Sequence, residues 1–97
     1  MTNVIFTPAA RREVCDAYAW YEKEQDGLGD SFMVHLSGLI ERITTHPHHF
    51  PYAIADVRRS RITRFPYEIY FRERQETIYV IACFHSSRNP TSWQRRV

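Results

Sequence analysis

Nine consecutive residues near the C-terminal end of the chain, Thr77–His85, are apolar at almost every position. Successive side chains of a β-strand point to opposite faces, so a strand with one face in solvent alternates apolar and polar residues. Here both alternating sets are apolar: Ile78, Val80, Ala82 and Phe84 form one set, and Tyr79, Ile81 and Cys83 form the other. The segment therefore predicts a central strand that other elements cover on both faces.

Two helical patterns precede this strand. Thr7-Pro8 is typical of a helix start, because threonine caps free amides and proline fits the first helical position. An apolar stripe follows and weakens near Gln25–Gly27; its members are Ala10, Val14, Ala17 and Tyr21. A second helix is expected from a cap at Asp30 or Ser31 to the residue before Pro47, with a stripe of Phe32, Leu36, Leu39, Ile40 and Ile43. Their short connection predicts a helical hairpin.

The remaining pattern is that of strands. Asn3–Thr7 predicts a short first strand, and alternation from Val57 predicts another that Phe65-Pro66 ends. A further strand is expected over Tyr67–Arg72, followed by a turn at Arg74–Glu76 and the apolar strand. The order is β-α-α-β-β-β, which predicts an α+β fold with the hairpin on one face of a small, mostly antiparallel sheet. At 97 residues with 43% hydrophobic composition, residues 1–97 are expected to form a single domain.

Charge is distributed unevenly along the chain. Residues 1–55 carry four basic and seven acidic residues, whereas residues 56–97 carry nine arginines, no lysine and four acids. Arginine favours planar, bidentate contacts to phosphate or carboxylate. The strand that begins at Val57 holds four candidate target-binding or phosphate-binding residues, Arg58, Arg59, Arg61 and Arg64. An ordinary solvated arginine face explains the charge equally well.

Other features exclude several classes of protein. No apolar run is long enough to span a membrane, and no export signal is present, so a cytoplasmic protein without a membrane partner is expected. Cys15 and Cys83 are predicted to be reduced thiols in the core. Three histidines at 46, 48 and 49 match no zinc spacing, so neither a metal nor another cofactor is expected.

Several motifs together resemble the RelE/ParE superfamily of toxins from type II toxin–antitoxin pairs, the plasmid-stabilisation family. In the first half they are the helix start at Pro8–Ala10, Tyr21 before Gly27 and Gly29, Phe32, and His46-Pro47. In the second half they are a basic strand at residues 57–60, an aromatic strand at residues 64–71 and an apolar strand at residues 78–85. A terminal motif follows at residues 88–90 and 93. The resemblance covers nearly the whole chain.

The resemblance implies a toxin that arrests growth until a cognate antitoxin neutralises it, and that contacts operator DNA only through this antitoxin. ParE-like members inhibit DNA gyrase, whereas RelE-like members cleave messenger RNA on the ribosome. The connection at residues 22–29 is closer to ParE-like toxins, which favours gyrase as the target. A degenerate member that only binds its antitoxin and contributes to autoregulation is the third possibility.

The ribonuclease alternative requires an acid or base and cations on the scissile phosphate. His85 and Arg88 are the candidate catalytic residues under that alternative, with Arg61 or Arg64 as the phosphate clamp. Arg88 is also a candidate target-binding residue without catalysis. RelE-like nucleases use several lysines and a C-terminal tyrosine, whereas this chain has only Lys23 and places Trp93 behind Arg88. A hydrogen bond from His85 to the tail, and a tail-anchoring ion pair of Arg88, are the structural alternatives.

Overall fold

Two helices lie across one face of a five-stranded sheet in the computed structural model, which describes residues 2–97. The strands are β1 Asn3–Phe6, β2 Tyr52–Ile54, β3 Val57–Arg61, β4 Tyr67–Arg74 and β5 Thr77–His85. The helices are α1 Pro8–Glu24, α2 Leu28–Thr45 and the short α3 Thr91–Gln94, and one 3₁₀ turn spans Pro47–His49. The strand order is β1-β5-β4-β3-β2, with only the β1–β5 pair parallel. The predicted α+β architecture is therefore confirmed.

Several boundaries differ from those that the sequence predicts. The second helix begins at Leu28, before the expected cap, and β3 ends at Arg61 rather than near Phe65. Two elements were not predicted, β2 and α3, because three and four residues give too little periodicity to identify them. Arg64 consequently lies in a turn with a φ of 70°, not on a strand.

The main core lies between the hairpin and the sheet. The predicted stripe of α1 is buried at all four positions, and α2 buries Phe32, Leu36, Leu39 and Ile43. The helices approach closely at Gly29, where a Cβ atom would lie 2.7 Å from the carbonyl oxygen of Tyr18. The Glu22 carboxylate accepts hydrogen bonds from the backbone N–H groups of Gly27 and Gly29, which orders the start of α2.

A β-bulge in β5 changes which face its side chains reach. Tyr70 of β4 pairs with Ala82 and Phe71 pairs with Val80, so Ile81 has no partner of its own. The predicted face of Ile78, Val80, Ala82 and Phe84 is therefore wrong beyond the bulge. Ile78, Val80 and Cys83 pack under the helices, whereas Ile81, Ala82 and Phe84 lie on the opposite face.

The opposite face carries a second core. Trp93 of α3 is 1% exposed and stacks on Tyr70, with the ring centroids 4.1 Å apart. Val57, Ile81, Ala82 and Phe84 complete this cluster. The prediction that β5 is covered on both faces is confirmed, and the cover on the second face is the C-terminal tail.

The cysteine prediction holds for one residue only. Cys83 is buried, and burial raises the pKa of its thiol to about 12, with a smaller contribution from the charge of Glu13. Cys15 is exposed, because its position on α1 lies off the buried stripe. The prediction of a buried Cys15 is therefore wrong.

Candidate functional site

Arg58 and Arg59 lie on β3, as the sequence predicts, and Arg58 is engaged within the fold. Its guanidinium donates to the carbonyl oxygen of Phe50 at 2.6 Å and to the hydroxyl of Tyr52 at 2.7 Å. It also lies over the Tyr52 ring, 3.9 Å from the centroid. Arg58 therefore helps to hold the edge strand β2, whereas Arg59 has no ion pair within residues 2–97.

Arg61 and Arg64 lie in the same groove as a third arginine, Arg42, which was not predicted as a site residue. Together with Arg42 of α2 they line a groove of about 480 Å³ at the Phe65-Pro66 turn, here called the three-arginine groove. No acidic residue lines it, and none of the three forms an ion pair within residues 2–97. Sequence gave no signal for Arg42, because only the fold brings the end of α2 to this turn.

His85 and Arg88 line a different groove, of about 640 Å³, between α1 and the end of β5. We call it the His85 groove; its other prominent residues are Glu13, Asp16, Trp20, Tyr67 and Ser87. Burial raises the pKa of the Tyr67 phenol, which packs edge-on to the His85 ring. Trp20 is 58% exposed, because it lies next to the buried stripe of α1 and not on it. The His85 groove therefore combines aromatic surface with charges of both signs.

The His85 ring is oriented by the segment that follows β5. Its Nδ1 accepts from the backbone N–H of Ser87 at 3.1 Å and lies 2.8 Å from the Ser87 hydroxyl. A backbone N–H can only donate, so Nδ1 has to be unprotonated and the neutral ring carries its proton on Nε2. This geometry favours the tail-binding role of His85 over that of a general base.

Arg88 belongs to an ion cluster centred on Glu13. Arg96 is the closer partner, with its Nη2 atom 2.7 Å from Glu13 Oε2, and Arg88 Nη1 lies 3.3 Å from the same oxygen. The Arg88 guanidinium also lies 3.9 Å from the centroid of the Phe84 ring. Glu13 Oε1 accepts the backbone N–H of Cys83 at 3.0 Å. Arg88 is thus a tail-anchoring residue with 49% of its side chain exposed.

The sequence-predicted site residues are not brought together in one place. His85 and Arg88 line one groove and Arg61 and Arg64 line another, with Pro66 on the border of both. Phosphate cleavage needs the acid or base and the cationic clamp around a single phosphate. The arrangement provides two separate binding surfaces more readily than one reaction centre.

A helical hairpin on one face of a small, mostly antiparallel sheet is the architecture that the resemblance to the RelE/ParE superfamily predicts. The model of the family described as "ParE toxin of type II toxin-antitoxin system, parDE" matches residues 4–90. The chain therefore belongs to the ParE toxin family of type II toxin–antitoxin systems.

One solved structure supports the fold independently. It is titled "Chromosomal ParDE TA system from P. aeruginosa", and it matches 88% of this chain and 96% of its own with a TM-score of 0.76 and 15% sequence identity. At this identity the likeness concerns the fold alone. No curated protein matches the sequence. Within residues 2–97 no helix is long and apolar enough to cross a membrane.

Proposed function

We propose that this protein is a growth-arresting toxin that inhibits DNA gyrase and that a cognate antitoxin holds inactive. Membership of the ParE toxin family supports the toxin and antitoxin parts of the proposal. The observation that most favours gyrase over messenger RNA is that His85 lines one groove and the Arg61 and Arg64 pair lines another.

The contacts of His85 and Arg88 favour a toxin that does not cleave RNA. His85 Nδ1 is occupied by Ser87, and Arg88 is paired with Glu13 and packed on Phe84. A ribonuclease would need both side chains free to reach a phosphate. The three-arginine groove, in contrast, presents cations without acidic partners, which suits contact with an acidic target surface.

The antitoxin is the second expected partner, and the toxin would contact operator DNA only through it. The two outer strands, β1 and β2, each pair on one side only. Unpaired strand edges accept an added strand, and the exposed Trp20 offers an aromatic anchor beside the hairpin. A short, partly disordered antitoxin that lays a strand or helix over these surfaces fits this arrangement.

Two parallel assays test the proposal. Purified toxin is added to gyrase with relaxed plasmid and, separately, to a translation reaction programmed with a defined message. We expect loss of supercoiling with the message intact, and restoration of supercoiling when the product of the adjacent small reading frame is added. A heat-unfolded sample serves as the negative control.

The alternatives predict different outcomes in the same assays. Ribosome-dependent cutting of the message with normal supercoiling would establish the ribonuclease alternative instead. A folded protein that affects neither reaction, yet binds the adjacent product, would identify a degenerate member. If no small neighbouring protein binds the toxin, the antitoxin part of the proposal is wrong.

A further inference from the structure

A third groove, of about 870 Å³, lies on the face of the sheet opposite the hairpin and reaches the first turns of α1. Four arginines and no acid line it: Arg12, Arg72, Arg74 and Arg96. None of these four is among the target-binding residues that the sequence predicts. We call it the arginine groove, and its volume lies within the range of small-molecule sites.

The fold brings these arginines together from three separate parts of the chain. Arg72 and Arg74 alternate along β4 on the same face as Tyr70, and Tyr79 of β5 is paired in register with Arg72. Arg12 comes from the second turn of α1, and Arg96 follows α3. The four arginines therefore line the groove together with the Tyr79 side chain.

The acids nearby do not balance this charge. Asp56 lies 3.1 Å from Arg72 and 2.9 Å from Arg74, so one carboxylate serves two guanidinium groups. Glu13 pairs with Arg96 but is shared with Arg88. Arg12 has no ion pair within residues 2–97. The groove keeps a net positive charge.

Arg72 has unused hydrogen-bonding capacity as well. Its Nε atom is buried and has no partner within residues 2–97. Exposed ion pairs contribute only about 0–1 kcal/mol to folding, so stability does not account for the exposed Arg12 and Arg74. A bound anion does account for them, because guanidinium groups match the oxygens of a phosphate.

We propose that the arginine groove binds the phosphate of a nucleotide, either free or within a nucleic-acid strand. Arg12 and Arg74 contact the phosphate, and the base packs against Tyr79, since an accessible aromatic ring stacks on any base. This inference goes beyond gyrase inhibition and does not depend on it, because its test measures binding and not toxicity.

Three probes distinguish the sources of the phosphate. Isothermal titration calorimetry at low ionic strength uses ATP and inorganic phosphate, and fluorescence polarisation uses a labelled single-stranded oligonucleotide. We expect Arg12→Glu to weaken binding of ATP or the oligonucleotide about tenfold or more, the usual loss for a charge-assisted contact. Arg11→Glu is the matched control, because Arg11 is the exposed neighbour on the same helix, changes the net charge equally and does not line the groove.

Tyr79→Ala tests the base contact separately. It should weaken nucleotide binding and leave binding of inorganic phosphate unchanged. Binding of ATP identifies a free nucleotide as a ligand, and binding of the oligonucleotide alone identifies a strand. Equal losses in Arg11→Glu and Arg12→Glu, or no binding of any phosphate probe, would overturn the proposal. So would binding of a glutamate-rich peptide with the same Arg12 dependence and no nucleotide binding.

Discussion

Glu13 is the side chain that joins α1 to both β5 and the C-terminal tail. β1 ends at Phe6, so the β5 edge beyond Val80 has no neighbouring strand on that side. The Glu13 carboxylate takes the place of a strand partner for the Cys83 N–H, and the Arg96 guanidinium does so for the Ile81 carbonyl oxygen at 2.9 Å. A buried backbone donor without a partner is costly, so Glu13 is expected to matter to stability.

We expect Glu13→Ala to lower the free energy of unfolding by about 1–3 kcal/mol, because it leaves the Cys83 N–H without an acceptor and Arg96 without its carboxylate. Urea denaturation followed by circular dichroism measures the loss. Asp16→Ala is the matched control, since Asp16 is exposed on the same helix and lines the same groove, but has no ion pair within residues 2–97. Equal midpoints for the two variants would contradict this role of Glu13.

At the scale of single elements, the start of α2 depends on an acidic side chain from α1. Gly27, at the helix N-cap, provides no side-chain cap, so the Glu22 carboxylate supplies acceptors to the first amides. The backbone N–H of Gly27 is the main cause that lowers the Glu22 pKa below its ordinary value of 4.5, with Gly29 and Asp30 contributing less. The connection between the helices is therefore sensitive to acid.

Replacement of Glu22 by Gln is expected to reduce stability at neutral pH and to have a smaller effect in acid. The folded-state pKa is lowered, so the contribution of the carboxylate is present above about pH 4.5 and is lost as pH falls through the folded pKa. Thermal unfolding of both proteins from pH 7 to pH 3 measures this convergence. A difference between them that stays constant with pH would show that the charge of Glu22 does not matter.

β5 shows how far the sequence could predict an element and where it could not. Its length and its burial on both faces follow from the unbroken apolar pattern of Thr77–His85. The face that each side chain reaches does not follow from this pattern. It depends on the bulge at Ile81, which is set by the register with β4 and has no local sequence signal. The cover on its second face was missed for a related reason: Trp93 reaches Tyr70 only after the tail folds back.

The second core should therefore depend on α3 far more than its four residues suggest. We expect Trp93→Ala to cost about 3–5 kcal/mol, the usual loss for a buried aromatic residue, because Trp93 is 1% exposed and stacks on Tyr70. Trp20→Ala is the control for loss of an indole, since Trp20 is 58% exposed and should change stability by about 0.5 kcal/mol or less. Guanidinium denaturation compares them, and similar losses would place the tail outside the core.

At the scale of the whole molecule, folding partly neutralises the uneven charge of the sequence. Glu13 and Asp56 together bind four arginines of the basic C-terminal half: Arg72, Arg74, Arg88 and Arg96. Arg88 is predicted from the sequence as a target-binding residue, but its acidic partner Glu13 lies 75 positions away in the chain and leaves no local signal. Arg61 and Arg64, two of the predicted residues without an acidic partner, lie instead in the three-arginine groove together with Arg42.

This distribution predicts that toxicity and stability can be separated. The double variant Arg61→Ala/Arg64→Ala should abolish growth arrest on induction, because it removes two of the three cations from a groove without acids. The midpoint of unfolding should change little, since neither side chain forms an ion pair within residues 2–97 and exposed charges contribute about 0–1 kcal/mol.

Two further variants make this test specific. Arg11→Ala/Lys23→Ala removes the same charge from α1 at two exposed residues that line none of the three grooves, and is expected to keep the growth arrest. Arg88→Ala should shift the unfolding midpoint slightly, because it removes the weaker of two partners of Glu13. Growth curves after induction are compared with thermal unfolding of each purified variant. If Arg61→Ala/Arg64→Ala stays fully toxic while Arg88→Ala is stable and inactive, the target binds at the His85 groove, and the three-arginine groove is a solvated surface.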